Sequence, residues 1–378
     1  MEFKTNDLVR ARFAIMEKWH EDGHKIVLWP GRAKLPHIGH IAFLVGLHQA
    51  GYKLLIGNGS CFTIDSRNPI FDFQVQVMLA QSLYREGLTD DDFIFVPIPD
   101  FGDDDKWATF ISSIPYFEHV TALATDNEDV TRSLADVINK QNINVIGRHD
   151  VVSNPVDIDA TRLRQALVMN DFVTFNRYAA TGTRDFLLQA GGGDYSRIVN
   201  AIHGNEVQFM PGRQCVDMII FVFNGFKWYV VLGNRLDNKD DFSGCLATPG
   251  GGIDPYENAH DAALRELHEE TGLHGEITAP YTLPMGLVIE KKMSALHFVH
   301  MYGTRDASLA GSKGGSSLCY MTVYPGQRRE LESLLTSKSD LVNVRTVEVE
   351  TAIRQGLAYQ QTRMLSDAYA LLEKIRGE

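Results

Sequence analysis

GGIDPYENAHDAALRELHEETGL occupies residues 251–273, and its reading decides the fold of the C-terminal half of the chain. Wound as a helix, Glu266, Glu269 and Glu270 stand at i, i+3 and i+4, so their carboxylates share one face. Ala263 and Leu267 fall on a different face and would seat the helix on a core. Gly272 lies where the helix should stop, in the left-handed conformation that glycine adopts at little cost. Three clustered carboxylates repel one another unless a cation neutralises them, and hard oxygen donors select Mg²⁺ or Mn²⁺ over zinc. The competing reading is a solvated acidic face. Gly251, Glu257 and Gly272, in register with the acidic cluster, argue against it. The preceding Thr248-Pro249-Gly250-Gly251-Gly252 reads as the passage from a strand into a loop.

From Gly251 the spacing runs five residues to Glu257, then seven to Arg265-Glu266-Leu267-His268-Glu269-Glu270-Thr271-Gly272-Leu273. This resembles the Nudix box, GX5EX7REUXEEXGU with U aliphatic, at every specified position. The resemblance implies a hydrolase of nucleoside-diphosphate-type pyrophosphates, with Glu266, Glu269 and Glu270 as ligands of Mg²⁺ (or Mn²⁺) and Glu269 and Glu270 as catalytic residues. It also implies that Arg265 orients the glutamates, that Glu257 supports the same network, and that Gly251 belongs with the binding residues. The catalytic base in such enzymes often lies outside the box. Glu290, in Gly286-Leu287-Val288-Ile289-Glu290, is the candidate, with an ordinary surface glutamate as the alternative. His297 and His300 sit in a strand-like stretch and are assigned no role.

Around the box, Val216 to Phe223 and Lys227 to Leu232 flank Asn224-Gly225, a strong hairpin signal. More strands and a final helix, roughly Gln361 to Arg376, complete an α+β pattern. The Gly/Ser stretch Gly311–Ser317 reads as a mobile loop. Upstream the grammar differs. Strands at residues 25–29, 53–56, 93–96, 120–124 and 145–146 alternate with helical stretches such as Phe71 to Leu83 and Thr161 to Asn170. That alternation predicts a doubly wound parallel sheet of Rossmann-like kind, whose ligands bind at the carboxyl ends of the strands. Tyr178 to Gly204 is mixed, with a GGGD loop at Gly191–Asp194. The change of grammar puts a domain boundary near Gly204, giving domains 1–204 and 205–378.

Within the first half, Gly31-Arg32-Ala33-Lys34-Leu35-Pro36-His37-Ile38-Gly39-His40 resembles the HxGH signature of nucleotidyltransferases, usually written GRFxPxHxGH. Gly39 permits close approach of phosphates to backbone, and the helix opening there supplies N–H donors and positive dipole. His37 and His40 can donate hydrogen bonds to phosphate oxygens as charge builds in a transition state. Ala33 and Leu35-Pro36 depart from the family pattern. Asp159-Ala160-Thr161-Arg162-Leu163-Arg164 resembles the second signature, ISSTxIR. It implies that Thr161 caps a helix and that Arg164 clamps phosphate, although Asp159 and Ala160 replace the serines. Arg67-Asn68-Pro69-Ile70-Phe71 resembles the NPF-T segment of nicotinamide-mononucleotide (NMN) adenylyltransferases, whose following Glu-Arg pair is replaced here by Phe73-Gln74-Val75-Gln76. Pro97-Ile98-Pro99-Asp100, followed by Trp107, resembles their IPD…W element, in which the aspartate places the nucleotide and the tryptophan stacks on the pyridine ring. Read alone, Trp107 is equally well a core residue; its spacing from Asp100 and the two phosphate signatures favour the stacking role.

Taken together, the chain resembles the bifunctional NMN adenylyltransferase/Nudix hydrolase family. The resemblance implies ATP and NMN as substrates of the first half, bound by Gly31, Arg32, Gly39, Asp100, Trp107 and Thr161 with His37, His40 and Arg164 catalytic, and ADP-ribose as substrate of the second. The alternatives are a non-catalytic nucleotide-binding first half, another acceptor such as nicotinate mononucleotide or phosphopantetheine, and another Nudix substrate such as NADH or a dinucleoside polyphosphate. A net charge of −12 argues against a standing nucleic-acid or anionic-membrane partner. Small nucleotides and a homo-oligomer are compatible with it. Cys61, Cys215, Cys245 and Cys319 form no CxxC pair, and the N-terminus has no apolar targeting segment. A cytoplasmic protein is therefore expected.

Overall fold

The computed structural model describes residues 6–189, 191–203, 214–236, 242–302, 316–337 and 339–377. The chain divides into two compact units, Met1–Phe209 with Asp254–Glu257, and Met210–Ile253 with Asn258–Glu378.

In the first unit the elements run α1 (Asp7–Glu21), β1 (Lys25–Gly31), α2 (Ile38–Gln49), β2 (Tyr52–Gly59), α3 (Asp72–Arg85), β3 (Phe93–Ile98), α4 (Asp104–Ser112), β4 (Val120–Ala124), α5 (Glu128–Ser133), α6 (Ala135–Gln141), β5 (Asn144–Ile146), α7 (Arg148–Val151), α8 (Ala160–Val168), α9 (Phe172–Tyr178), α10 (Thr181–Gln189) and α11 (Gly191–Ile202). The five strands form one parallel sheet in the order β3-β2-β1-β4-β5. Its central strands are apolar on both faces, as a sheet covered by helices on two sides requires. Ile26, Val27, Leu28, Leu55 and Ile56 are all 0% exposed. Strand order reverses between β1 and β4, so the loops beyond their carboxyl ends diverge and leave a crevice.

Two local expectations for this unit are corrected. Gly191–Asp194 is not a loop: it forms the first turn of α11. The first N–H groups of a helix lack intrahelical partners anyway, so glycines are tolerated there once Ile198 and Ala201, both buried, seat the helix. The cap of α8 is Asp159 rather than Thr161; the Asp159 side chain accepts from the Arg162 N–H at 2.8 Å. Aspartate is the better cap of the two, and it stands just before the helix's first residue, where a cap must be.

The second unit runs β6 (Gln214–Phe223), β7 (Trp228–Arg235), β8 (Leu246–Ala247), β9 (Gly250–Gly252), α12 (Ala259–Thr271), β10 (Gly275–Ala279), β11 (Met285–Ile289), β12 (Lys292–Tyr302), β13 (Ser316–Val323), α13 (Arg328–Leu334), β14 (Leu341–Glu348), α14 (Val349–Gln355) and α15 (Gln361–Gly377). A mixed sheet follows the order β10-β11-β12-β13-β6-β7-β14, with β8 on β7 and β9 on β6. β6 and β7 pair antiparallel across the expected turn, where Gly225 has φ +95° and Asn224 Oδ1 accepts from the Phe226 and Lys227 N–H groups. His297 and His300 lie in β12, as expected. Of the Gly311–Ser317 stretch, Ser316 and Ser317 open strand β13 instead of lying in a loop, because they pair with Gln214 and Cys215 of β6. Residues 311–315 lie outside the described residues.

The acidic helix α12 ends at Gly272, which has φ +79° and donates its N–H to the His268 carbonyl. Ala263 and Leu267, both 0% exposed, anchor it. An L-residue with a side chain at that φ is strained, so Gly272→Ala is expected to lower the unfolding free energy by about 1 kcal/mol. Chemical denaturation of the full chain measures it, and an unchanged midpoint would show that the cap does not hold the helix end.

Candidate functional site

The crevice at the carboxyl ends of β1 and β4 is a cavity of about 1300 Å³. The chain reaches it from β1 through the loop that leads to α2. Ala33 and Leu35, the departures from the nucleotidyltransferase pattern, are both 0% exposed and serve as the loop's own core. Pro36 is pinned through its carbonyl, which accepts from the Thr183 hydroxyl at 2.8 Å and the Ala180 N–H at 3.1 Å. Lys34 is 1% exposed. Burial lowers its pKa, while Asp72, Cys61, Asp100 and Asp65 oppose the shift.

His37 caps α2 and His40 lies in its first turn, their rings stacked with centroids 3.7 Å apart. His40 Nδ1 faces the His37 N–H at 3.4 Å, so in its neutral form the proton resides on Nε2. Burial, then the nearby Arg148 guanidinium, lowers the His37 pKa to about 4, with Asp159 opposing. Burial, then His37 and Arg148, holds His40 well below the usual imidazole range. Both rings are therefore neutral at physiological pH and present N–H donors rather than full charges. A Cβ on Gly39 would lie 3.1 Å from the His37 ring, and one on Gly31 only 2.2 Å from the Trp29 ring. The Trp29 ring leaves no room for a side chain at Gly31, and the His37 ring makes Gly39 a tight fit.

The remaining predicted residues of this half line the same cavity: Gly31, Arg32, Gly39, Asp100, Trp107, Thr161 and Arg164. Asp100 follows β3 and accepts from the Ser60 hydroxyl at 2.9 Å and the Thr63 hydroxyl at 2.8 Å. Trp107, on α4, packs against the core cluster and also lines the cavity. Thr161, relieved of capping, accepts from Arg164 Nη2 at 3.0 Å. Partial burial, opposed by Asp159, lowers the Arg164 pKa. In the segment that departs from the family's Glu-Arg pair, Gln74 accepts from Arg197 Nη2 at 3.1 Å and Gln76 donates to Asp72 at 2.6 Å.

Sequence reading missed Arg67 and Arg148, which also line the cavity. Arg148 opens α7 beyond β5, its Nε 3.1 Å from Asp126 Oδ2. Neither arginine belongs to a matched signature position. Only the fold brings Arg148 near the histidines and Arg67 to the same cavity.

In the second unit a three-glycine strand and the acidic helix face each other. β9 lies antiparallel on β6, and Gly250 donates its N–H to Glu270 Oε2 at 2.8 Å. A Cβ on Gly251 would stand 2.4 Å from Glu266 Oε1. Arg265 donates from Nη2 to the Gly252 carbonyl at 2.7 Å, and from Nη1 to Glu266 at 2.8 Å and Glu269 at 2.9 Å. In the Asp254–Glu257 segment, which belongs to the first unit, Glu257 accepts from the Asp254 N–H at 3.0 Å. Glu270 is 4% exposed. Burial raises its pKa to about 8, with the Glu266, Asp340 and Asp217 carboxylates adding to the shift and the Gly250 N–H opposing it.

Among the described residues no three His, Cys, Asp or Glu side chains are arranged to hold a metal ion. Arg265 draws Glu266 and Glu269 onto its guanidinium, while the Gly250 N–H holds Glu270. The donor chemistry nevertheless fits a hard divalent cation: three carboxylates stand at i, i+3 and i+4 of one helix, and burial raises the pKa of one of them, Glu270, which a cation beside it would offset. Glu290, the candidate base, stands at a tight turn with φ +47° and accepts from the His274 N–H at 2.8 Å. That bond ties it to the segment after α12.

The chain combines an acidic helix set against a glycine strand on a mixed sheet with a parallel α/β unit that holds an arginine-lined cavity. Residues 213–355 match the family model of the NUDIX domain, so the second unit carries a Nudix domain. Among curated proteins, the chain is 32% identical over 121 residues to an RNA pyrophosphohydrolase of Novosphingobium aromaticivorans, covering 32% of this chain and 60% of that protein. It is 41% identical over 66 residues to the RNA pyrophosphohydrolase of Sphingopyxis alaskensis, covering 18% and 38%. The chain thus spans three fifths or less of the length of these relatives. Among solved structures it is similar to a bifunctional NMN adenylyltransferase/ADP ribose pyrophosphatase from Francisella tularensis complexed with AMP and a Mn ion, with 19% identity, 93% of this chain and 99% of that chain covered, and a TM-score of 0.40. It is also similar to the NUDIX domain of Shewanella oneidensis NrtR complexed with ADP ribose, with 20% identity, 43% and 90% covered, and a TM-score of 0.32. No described helix is long and apolar enough to cross a membrane.

The neutral state of His37 is open to measurement. An unfolded imidazole protonates near 6.5 and the folded one near 4. The unfolded chain therefore binds the proton first, and this group's contribution to stability is lost as pH falls from about 6.5 towards 4. Nuclear magnetic resonance titration should find the His37 ring neutral at pH 6. A midpoint near 6.5 would show that the ring is solvated.

Proposed function

We propose that the chain is a bifunctional enzyme of pyridine-nucleotide metabolism, in which the first unit transfers the adenylyl group of ATP to NMN and the second hydrolyses ADP-ribose. One observation carries the first assignment: two stacked neutral imidazoles at a helix N-terminus share a cavity with Arg32, Arg67, Arg148, Arg164 and Trp107. In adenylyl transfer an NMN phosphate oxygen bonds to the α-phosphorus of ATP, the bridging α–β P–O bond breaks, and pyrophosphate leaves with the electron pair. No covalent enzyme intermediate is needed. The two histidines donate N–H bonds to phosphate oxygens, and the arginines offset the triphosphate charge. The Trp107 face suits an electron-poor pyridinium, with Asp100 held for the nucleotide by Ser60 and Thr63.

For the second unit the supporting observation is the acidic cluster registered against a glycine strand. Glu266, Glu269 and Glu270 would hold Mg²⁺ or Mn²⁺, which would supply Lewis-acid activation of a pyrophosphate and of the attacking water. Arg265 sets the directions of Glu266 and Glu269, and the Gly250 N–H sets that of Glu270. Water adds to one phosphorus, the P–O–P bridge breaks, and ADP-ribose yields AMP and ribose 5-phosphate. A second reading, removal of pyrophosphate from RNA ends, is raised by the RNA pyrophosphohydrolases to which part of this domain is similar. The net charge of −12 weighs against a polyanionic substrate. Small nucleotides are the proposed partners and the cytoplasm the proposed setting.

The test is NAD⁺ formation from NMN, ATP and Mg²⁺, run beside hydrolysis of ADP-ribose and of 5′-triphosphorylated RNA. NAD⁺ with equimolar pyrophosphate, and cleavage of ADP-ribose in preference to RNA, is expected. Hydrolysis without NAD⁺ would reduce the first unit to nucleotide binding. His40→Ala should cut NAD⁺ formation about 100-fold and spare hydrolysis. Glu269→Gln should do the reverse, by about 100-fold. Loss of both activities in either variant would contradict separate sites. Trp107→Ala should raise the KM for NMN about 10-fold, and an unchanged KM would return Trp107 to the core alone.

A further inference from the structure

Asp217 lies inside β6 at 6% exposure, a buried carboxylate outside every motif recognised in the chain. Its Oδ1 accepts from the Thr248 hydroxyl at 2.7 Å and from Gln361 Nε2 at 2.5 Å, and its Oδ2 accepts from the Ser317 hydroxyl. Three donors converge on its two carboxylate oxygens. Gln361, the first residue of α15, turns its Oε1 to the Thr248 N–H at 3.2 Å. Thr248 is thus gripped at both its N–H and its hydroxyl, by residues far from it in sequence.

Directly after Thr248 the chain enters the acidic site. The Pro249 carbonyl accepts from the Met218 N–H at 2.8 Å. Gly250 stands opposite Asp217 in the β6–β9 ladder and donates its N–H to Glu270 at 2.8 Å. The fit is tight: a Cβ on Gly250 would lie 2.3 Å from the Val216 carbonyl oxygen and 3.1 Å from Asp217 Oδ1. Any displacement of Thr248 therefore moves the donor that aims Glu270.

We propose that Asp217 and Gln361 are positioning residues for pyrophosphate hydrolysis, acting through Thr248 to fix the Gly250 N–H and with it the Glu270 carboxylate. Neither is assigned contact with substrate. The inference rests on reading the second unit as a pyrophosphate hydrolase, yet its mechanical half is measurable without any activity.

Thr248→Val keeps the shape and removes the hydroxyl; Thr248→Ser keeps the hydroxyl. Asp217→Asn replaces one acceptor oxygen with a donor facing donors, and the Thr248 pair guards against its failing to fold. In the full chain, Thr248→Val and Asp217→Asn should lower kcat for ADP-ribose about 10- to 100-fold with KM changed less than about twofold. Thr248→Ser should recover most of the loss. Amide hydrogen exchange at Gly250 should speed up in Thr248→Val while amides of Ile219 and Val231 keep their protection. Faster exchange at Gly250 with wild-type kcat would overturn the positioning role, as would unchanged exchange. A wild-type chain that hydrolyses no pyrophosphate would instead sink the functional reading, with the exchange data still deciding whether the grip on Gly250 exists.

Discussion

A strand made of three glycines, Gly250–Gly252, is the constraint on which the second unit's chemistry depends. On one side it pairs with β6; on the other it meets the side chains of α12. With a Cβ at Gly250 the strand would strike the Val216 carbonyl, and with one at Gly251 it would displace Glu266. The absence of side chains brings backbone within hydrogen-bond reach of an acidic helix, so that Gly250 aims Glu270 and Gly252, through Arg265, aims Glu266 and Glu269. Close approach is obtained by leaving atoms out.

The first unit solves its own version of the problem. The proposed phosphate site calls for donors that do not repel their own scaffold, and burial holds the pair His37 and His40 neutral. Permanent positive charge is delegated to arginines on separate elements: Arg32 after β1, Arg148 beyond β5 and Arg164 on α8. Arg148 contributes twice, since its charge also lowers the proton affinity of both imidazoles. The departures Ala33 and Leu35 are absorbed as buried packing, which is why the loop keeps its histidines in place without the family's aromatic residue.

Much of this was legible in the residues because it is local. Helical spacing put Glu266, Glu269 and Glu270 together, Gly272 closed the helix, Asn224-Gly225 turned a hairpin, and alternating strands and helices foretold a parallel sheet. What escaped was decided by neighbours distant in sequence. Gly191–Asp194 looked like a loop until α11 was seated by Ile198 and Ala201. Asp159 displaced Thr161 as the cap because a helix start is fixed by one residue's geometry. Arg148 and the Asp217–Gln361 grip join residues that no spacing rule connects.

The most direct test of the account concerns that carboxylate set. Crystals of the full chain soaked in Mn²⁺ would be measured for anomalous scattering. The account predicts a peak bounded by carboxylate oxygens of Glu266, Glu269 and Glu270, with Arg265 withdrawn from at least one of them and the Gly250 N–H still on Glu270. Density elsewhere in the second unit, or an Arg265 still bonded to both Glu266 and Glu269 with no ion beside them, would contradict it.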